Sequence, residues 1–186
     1  MAVTELLAQR RPHRADAARN FDAILAAARG AFTELGTDAS LEEVARRAGV
    51  GIATLYRNFP TREELIEMVY VSEVDALVRY AEELKDTPPW DALVAWLRRF
   101  IEYGKTKRAL IDALNRTSAA FKACREDMFG AGVPLLERAQ QSGDARKDAD
   151  FDDVLRLVIG LSAATFADDG QRERVFQLAI DGIRER

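Results

Sequence analysis

Hydrophobic positions recur at intervals of three and four along most of the chain, and no stretch alternates with a period of two. That pattern predicts helices and no strands. Ile24, Ala28, Phe32 and Leu35 form the earliest clear stripe, which predicts a helix over Phe21–Leu35 stopped by Gly36. Before it, Met1 to Asn20 reads as a polar arm whose basic run, Arg10 to Arg14, is kept from helix by Pro12. A longer stripe of Ile66, Val69, Tyr70, Val74, Leu77, Val78 and Ala81 predicts a helix over Thr61–Leu84, about 36 Å long at 1.5 Å per residue. Thr87 and Pro88 open the next helix, which should run to about Thr106 with Leu93, Val94, Leu97, Phe100 and Ile101 on its core side. A short helix over Arg108–Leu114 and a loop over Asn115–Thr117 should follow. Ser118–Gln141 is helical again, with Pro134 expected to kink or break it. Asp150 and Asp153 should cap a helix over Phe151–Phe166, and the last helix should cover Gln171–Ile183. From Val154 to Ala167 the former carries Arg156 as its one charge, so it must be covered on more than one side.

The most informative stretch is SLEEVARRAGVGIATLYRNFPTR, Ser40 to Arg62. Ser40 and Glu43 have capping-box spacing, so a helix should start at Leu41. Gly49 ends it, since glycine takes the left-handed conformation without steric cost. A second helix should span Ile52–Asn58, with Pro60 behind it and Thr61 and Glu64 capping the next. Two short helices across a glycine turn form a helix-turn-helix. Ala45 is small where the helices cross, and Leu55 points back into the angle between them. Gly51, Ile52, Ala53, Thr54, Tyr56, Arg57 and Asn58 then lie at the start or on the outer side of the second helix. An ordinary solvent face would be rich in Glu and Lys. Hydroxyls, an amide, a guanidinium and small residues suit a DNA groove and its phosphates instead.

Net charge of −4 at first argues against a nucleic-acid partner. Its distribution alters that. Nine arginines stand against seven acids up to Arg62, a balance of +2, which leaves −6 for the remainder. The basic charge therefore gathers around the motif. One cysteine, Cys124, and one histidine, His13, exclude a disulfide within the chain and leave too few ligands for a Cys/His zinc site, so no metal or cofactor is expected. There is no glycine-rich phosphate loop, no H-E-x-x-H and no nucleophile with a nearby base, so no enzyme activity is expected. No signal peptide is visible, and no apolar run approaches the ~20 residues that span a bilayer, so the expected location is cytoplasmic, with no membrane partner.

The stretch and the helix before it resemble the DNA-binding domain of TetR-type transcriptional regulators. The resemblance rests on Ile24, Leu25, Ala27, Ala28, Phe32 and Gly36, then on Ser40 to Ala45, Ala48-Gly49-Val50, Thr54-Leu55-Tyr56, Phe59 and Arg62 to Leu65. Gly51 stands where that family usually has Ser, and Asn58 where it usually has His. The resemblance implies an all-α protein with a three-helix DNA-binding domain over residues 1–62, arm included, and a helical ligand-binding and dimerisation bundle over 63–186. It also implies phosphate contacts from Tyr56 and Arg62. Ser40, at a helix N-terminus with free backbone donors, is a further phosphate candidate. For the second domain it implies a small apolar or aromatic effector between helices. The candidates there are Tyr70, Leu77, Trp96, Phe100, Tyr103, Phe121, Cys124, Met128 and Phe129, although spacing alone makes each of them core.

Surplus apolar surface on Phe151–Phe166, and small residues Gly160 and Ala164 four apart, predict a homodimer through the last two helices. Val154, Val158, Gly160, Leu161, Ala164, Phe176, Ile180 and Ile183 are its candidate contacts. The reading is therefore a repressor on a palindromic double-stranded operator, released by an effector. The rivals are a helical ligand-binding or scaffold protein that no longer reads DNA, and an enzyme built on helices. A band shift against genomic fragments separates the first from the others.

Overall fold

The computed structural model describes residues 2–110 and 117–185, apart from the side chains of Thr37 and residues 105–109. Nine α-helices occur among the described residues: α1 Val3–Arg10, α2 Ala15–Leu35, α3 Leu41–Ala48, α4 Ile52–Asn58, α5 Arg62–Glu83, α6 Pro89–Leu110, α7 Ala119–Gln141, α8 Phe151–Ala163 and α9 Asp169–Ile183. A 3-10 turn over Gly36–Asp38 follows α2, and no strand is found among the described residues. The chain divides into two compact units. The first comprises residues 1–75 and 106–125, and the second residues 76–105 and 126–186. Helices α5, α6 and α7 each contribute to both.

In the first unit, α2, α3 and α4 pack on one another. Phe21, Ile24, Ala28 and Phe32 of α2 are buried with Val44, Ala45, Leu55 and Phe59. The Phe21 and Phe59 rings stack with centroids 5.0 Å apart. The expected polar arm is instead largely helical. Helix α1 occupies eight of its residues, and α2 starts at Ala15, six residues before the expected Phe21. The reason is Val3, which is fully buried and anchors α1 on its apolar side. The Thr4 hydroxyl donates to Asp75 at 2.8 Å, and the Ala2 N–H donates to the Glu5 carboxylate at 3.2 Å. Pro12 lies in the non-helical link between α1 and α2.

In the second unit the core gathers Trp96, Phe100, Tyr103, Leu135, Leu136, Phe151, Val154, Val158, Phe176 and Ile180. The Trp96 indole donates to the Leu77 carbonyl at 3.1 Å, which satisfies a polar atom in a fully buried side chain. Arg98 grips Glu173 with two bonds of 2.5 Å and lies 4.4 Å over the Phe176 ring, tying α6 to α9. Helix α6 begins at Pro89 and continues past Thr106 to Leu110, so the expected short helix over Arg108–Leu114 is absorbed by α6 as far as that. Its remainder and most of the expected loop lie outside the described residues. Helix α8 ends at Ala163 rather than Phe166, and Asp150 caps it through the Asp152 N–H at 2.7 Å. Helix α9 begins two residues earlier than expected, capped by Asp168 through the Gln171 N–H at 2.7 Å.

Of the kink or break expected at Pro134 the break is absent, and α7 runs through it as one helix. Packing holds it: Leu135 and Leu136 are buried, and Gly132 lies against the Phe151 ring. A Cβ at Gly132 would lie 2.0 Å from the Phe151 ring. Gly132→Ala should therefore destabilise the second unit by about 1–3 kcal/mol despite alanine's better helix propensity, as overpacked sites do. A urea melt followed by tryptophan fluorescence reads this. An unchanged or raised midpoint would show that the ring moves aside freely.

Candidate DNA-binding interface

The two helices of the motif are set by their ends. Ser40 caps α3, its hydroxyl accepting from the Glu43 N–H at 3.1 Å. Gly49 closes it in the left-handed region, at φ 68° and ψ 27°, and its N–H donates to the Ala45 and Arg46 carbonyls. A side chain at that φ would be strained, so glycine is required by the backbone. The chain then leaves at once into α4, where the Thr54 N–H donates to the Gly51 carbonyl at 2.8 Å. Gly51 offers no capping side chain there.

Leu55 is wholly buried and fixes the rotation of α4. Gly51, Ile52, Ala53, Tyr56 and Arg57 are thereby exposed, with Tyr56 46% accessible although it is a large ring. Such exposure means that the Tyr56 ring is not a core residue. Arg57 donates to the Thr54 hydroxyl at 2.8 Å, so its guanidinium is held along the helix. Two further candidates make contacts within the chain. The Asn58 amide is half-buried and donates to the Thr54 carbonyl at 2.8 Å, turned back on its own helix. The Arg62 guanidinium sits over the Phe32 ring, 5.4 Å from its centroid. Four-residue spacing puts the Asn58 amide within reach of a helix carbonyl, and a cation finds the electron-rich ring face.

The surrounding charge is more neutral than the arginine count suggests. Glu43 accepts from Arg46 at 2.7 and 2.8 Å and from Arg47 at 2.7 Å. The bonds from Arg46, then those from Arg47, hold the Glu43 carboxyl down at about 2. These pairs stand at neutral pH and are lost only as pH falls from the ordinary carboxylate range toward that value. Arg47 also donates to Glu34, Arg10 to Glu64 and Arg11 to Asp22. The Arg11 bonds lower the Asp22 carboxyl as well. All are surface pairs of small worth, so phosphates can compete for these arginines.

The effector candidates fall into two groups. Tyr70 stacks on Phe121 at 5.4 Å in the first unit, which also holds Cys124, buried. In the second unit Trp96 stacks on Phe100 at 5.6 Å, Phe100 meets Tyr103 at 5.4 Å, and Phe129 stands edge-on to Phe151 at 5.5 Å. Leu77 and Met128 are buried in that unit too. Spacing could not separate these groups, because it says which helix face is apolar and not which helix covers it.

Of the expected dimer contacts, Val154, Val158, Phe176, Ile180 and Ile183 are buried within the chain's own core. Gly160 and Ala164 are exposed and Leu161 half-exposed. Leu157, Ile159 and Leu178 are exposed apolar side chains outside the predicted set. Their signal in the sequence was an apolar residue on the polar side of a helical pattern.

Comparison with known proteins fits this geometry. Residues 24–69 match the family model described as bacterial regulatory proteins, tetR family. Residues 88–185 match the C-terminal domain of SbtR-like transcriptional regulators. The crystal structure of the TetR transcriptional regulator SCO0520 from Streptomyces coelicolor is similar, with 40% identity, 89% of this chain and 98% of that chain covered, and a TM-score of 0.78. A TetR transcription regulatory protein from Mycobacterium vanbaalenii has 31% identity, 93% and 99% coverage, and a TM-score of 0.76. No match is found among curated proteins. No helix among the described residues is long and apolar enough to cross a membrane.

Proposed function

Since the chain belongs to the TetR family of transcriptional regulators and carries its helix-turn-helix DNA-binding domain, we propose that it is a repressor of the cytoplasm that grips a palindromic operator as a homodimer. The observation that carries this is the outer face of α4: Gly51, Ala53, Tyr56 and Arg57 exposed on a helix that Leu55 locks in rotation. Residues 1–62 do the reading, and 63–186 dimerise and sense. A small apolar or aromatic effector enters among the helices of the second unit, beside Trp96, Phe100, Tyr103, Met128 and Phe129. It must bind the DNA-free form better, and by linkage DNA must then weaken the effector equally. A hundredfold release requires a difference of about 2.7 kcal/mol.

Ser40 and Tyr56 serve the phosphates, joined by Arg57. Ala53 and Thr54 lie against base edges. Arg62 reaches DNA only by leaving Phe32, and Asn58 only by leaving its helix carbonyl. The rival reading, a helical protein that no longer reads DNA, is favoured by the internal pairing of Arg10, Arg11, Arg46 and Arg47.

The experiment is selection of bound fragments from a genomic library, then affinity against salt. Arg57→Ala should weaken every sequence alike and lower the salt slope by about one, because a phosphate carries no code. Ala53→Ser should instead change which sequence is preferred. Should no fragment be enriched at low salt, the repressor reading fails and the rival stands.

A further inference from the structure

A cavity of about 500 Å³ lies in the first unit, apart from the outer face of α4. Two helix stripes line it: Leu6, Gln9 and Arg10 of α1, and Glu64, Glu67, Met68 and Val71 of α5, with Ala120 of α7 beside them. The spacings of three, four and seven place each set on one side of its helix. The lining divides by chemistry. Val71 is fully buried and Met68 nearly so, and with Leu6 and Ala120 they supply an apolar floor. Gln9, Arg10 and Glu64 stand at the exposed side.

Charge fixes the class of ligand. Arg10 is engaged with Glu64 at 2.6 Å. Glu67 is half-buried and has no hydrogen-bond or ion-pair partner among the described residues. Among the described residues the lining thus holds two carboxylates, Glu64 and Glu67, against one guanidinium, and the surplus negative charge sits over apolar surface. A carboxylate in that position favours a cation, and the floor favours hydrocarbon behind it. The thioether of Met68 adapts to irregular apolar shapes. An anion would meet Glu67, and the one cation among the described lining residues, Arg10, is already paired with Glu64.

We propose that this cavity is a binding site for amphipathic amines, with the ammonium at Glu67 and the Gln9 amide and the apolar body on Leu6, Met68, Val71 and Ala120. The site is independent of whether α4 reads DNA, and it is distinct from the aromatic cluster of the second unit.

The test is isothermal titration of the full chain with n-octylammonium, n-octanol and octanoate as probes. n-Octylammonium should saturate one site per chain, and octanoate should not bind. Glu67→Gln, which keeps shape and removes charge, should weaken n-octylammonium at least tenfold and leave n-octanol unchanged. Ala120→Phe, which fills the cavity, should weaken both. Circular dichroism and melting temperature establish that each variant is folded. The proposal stands only if both variants weaken n-octylammonium. If n-octylammonium does not saturate, or if either folded variant retains wild-type affinity for it, the amine does not sit here and the proposal is overturned.

Discussion

Leu55→Asp should abolish operator binding while the second unit stays folded. Leu55 is fully buried, and α4 is only seven residues long, so a single side chain carries much of its attachment. A helix that short has no stability of its own in water. Leu55→Ala alone should cost about 2–5 kcal/mol, as buried leucines do on truncation. Aspartate adds the desolvation of a carboxylate, several kcal/mol more, which exceeds what a small helical unit can absorb. Both tryptophans, Trp90 and Trp96, lie in the second unit, so their fluorescence follows that unit alone. The expected result is loss of the band shift with an unchanged tryptophan spectrum. A variant that holds operator within threefold of wild type would show that α4 does not depend on Leu55, and the face assigned to DNA would have to be redrawn.

The motif was legible because every boundary in it is written in local chemistry. Ser40 and Thr61 as caps, Gly49 at positive φ and Pro60 all act within four residues, and each is where the spacing put it. The direction of a long polar side chain was not legible. Periodicity puts Asn58 on or near the outer side and resemblance puts Arg62 at a phosphate, yet one bonds its own helix and the other covers Phe32. Helix α1 was missed because eight residues with one strong anchor give a weak period; Val3 finds its burial in tertiary packing, which sequence spacing does not contain. Pro134 illustrates the converse. Its missing donor is a local penalty, and buried neighbours on both sides of the turn outweigh it.

The same limit reshapes the expected dimer. The stripe Val154, Val158 on α8 and Phe176, Ile180, Ile183 on α9 is the most apolar, and for that reason the chain buries it internally. What remains for a second copy is Leu157, Gly160, Leu161 and Ala164, spaced three, four and seven along α8 or just past its end, with Leu178 of α9. Leu178, at 71% accessible, is the largest apolar surface left uncovered there. Gly160→Glu is the sharper variant. A Cβ at Gly160 meets nothing within 4 Å among the described residues, so the substitution should leave the fold of the single copy intact. Glutamate is also a better helix former than glycine, by up to about 1 kcal/mol. Across a two-fold interface the two new carboxylates would face each other in low dielectric, where like charges are costly. The variant should therefore sediment as a monomer with a melting temperature at or above that of a wild-type chain diluted to monomer. Operator affinity should fall by about 10²–10⁴-fold, the advantage that a second linked half-site gives. Leu178→Glu should act in the same direction. If Gly160→Glu and Leu178→Glu both remain dimeric at micromolar concentration, the dimer is built on another face. If they become monomeric yet keep wild-type affinity, the operator is read one half-site at a time.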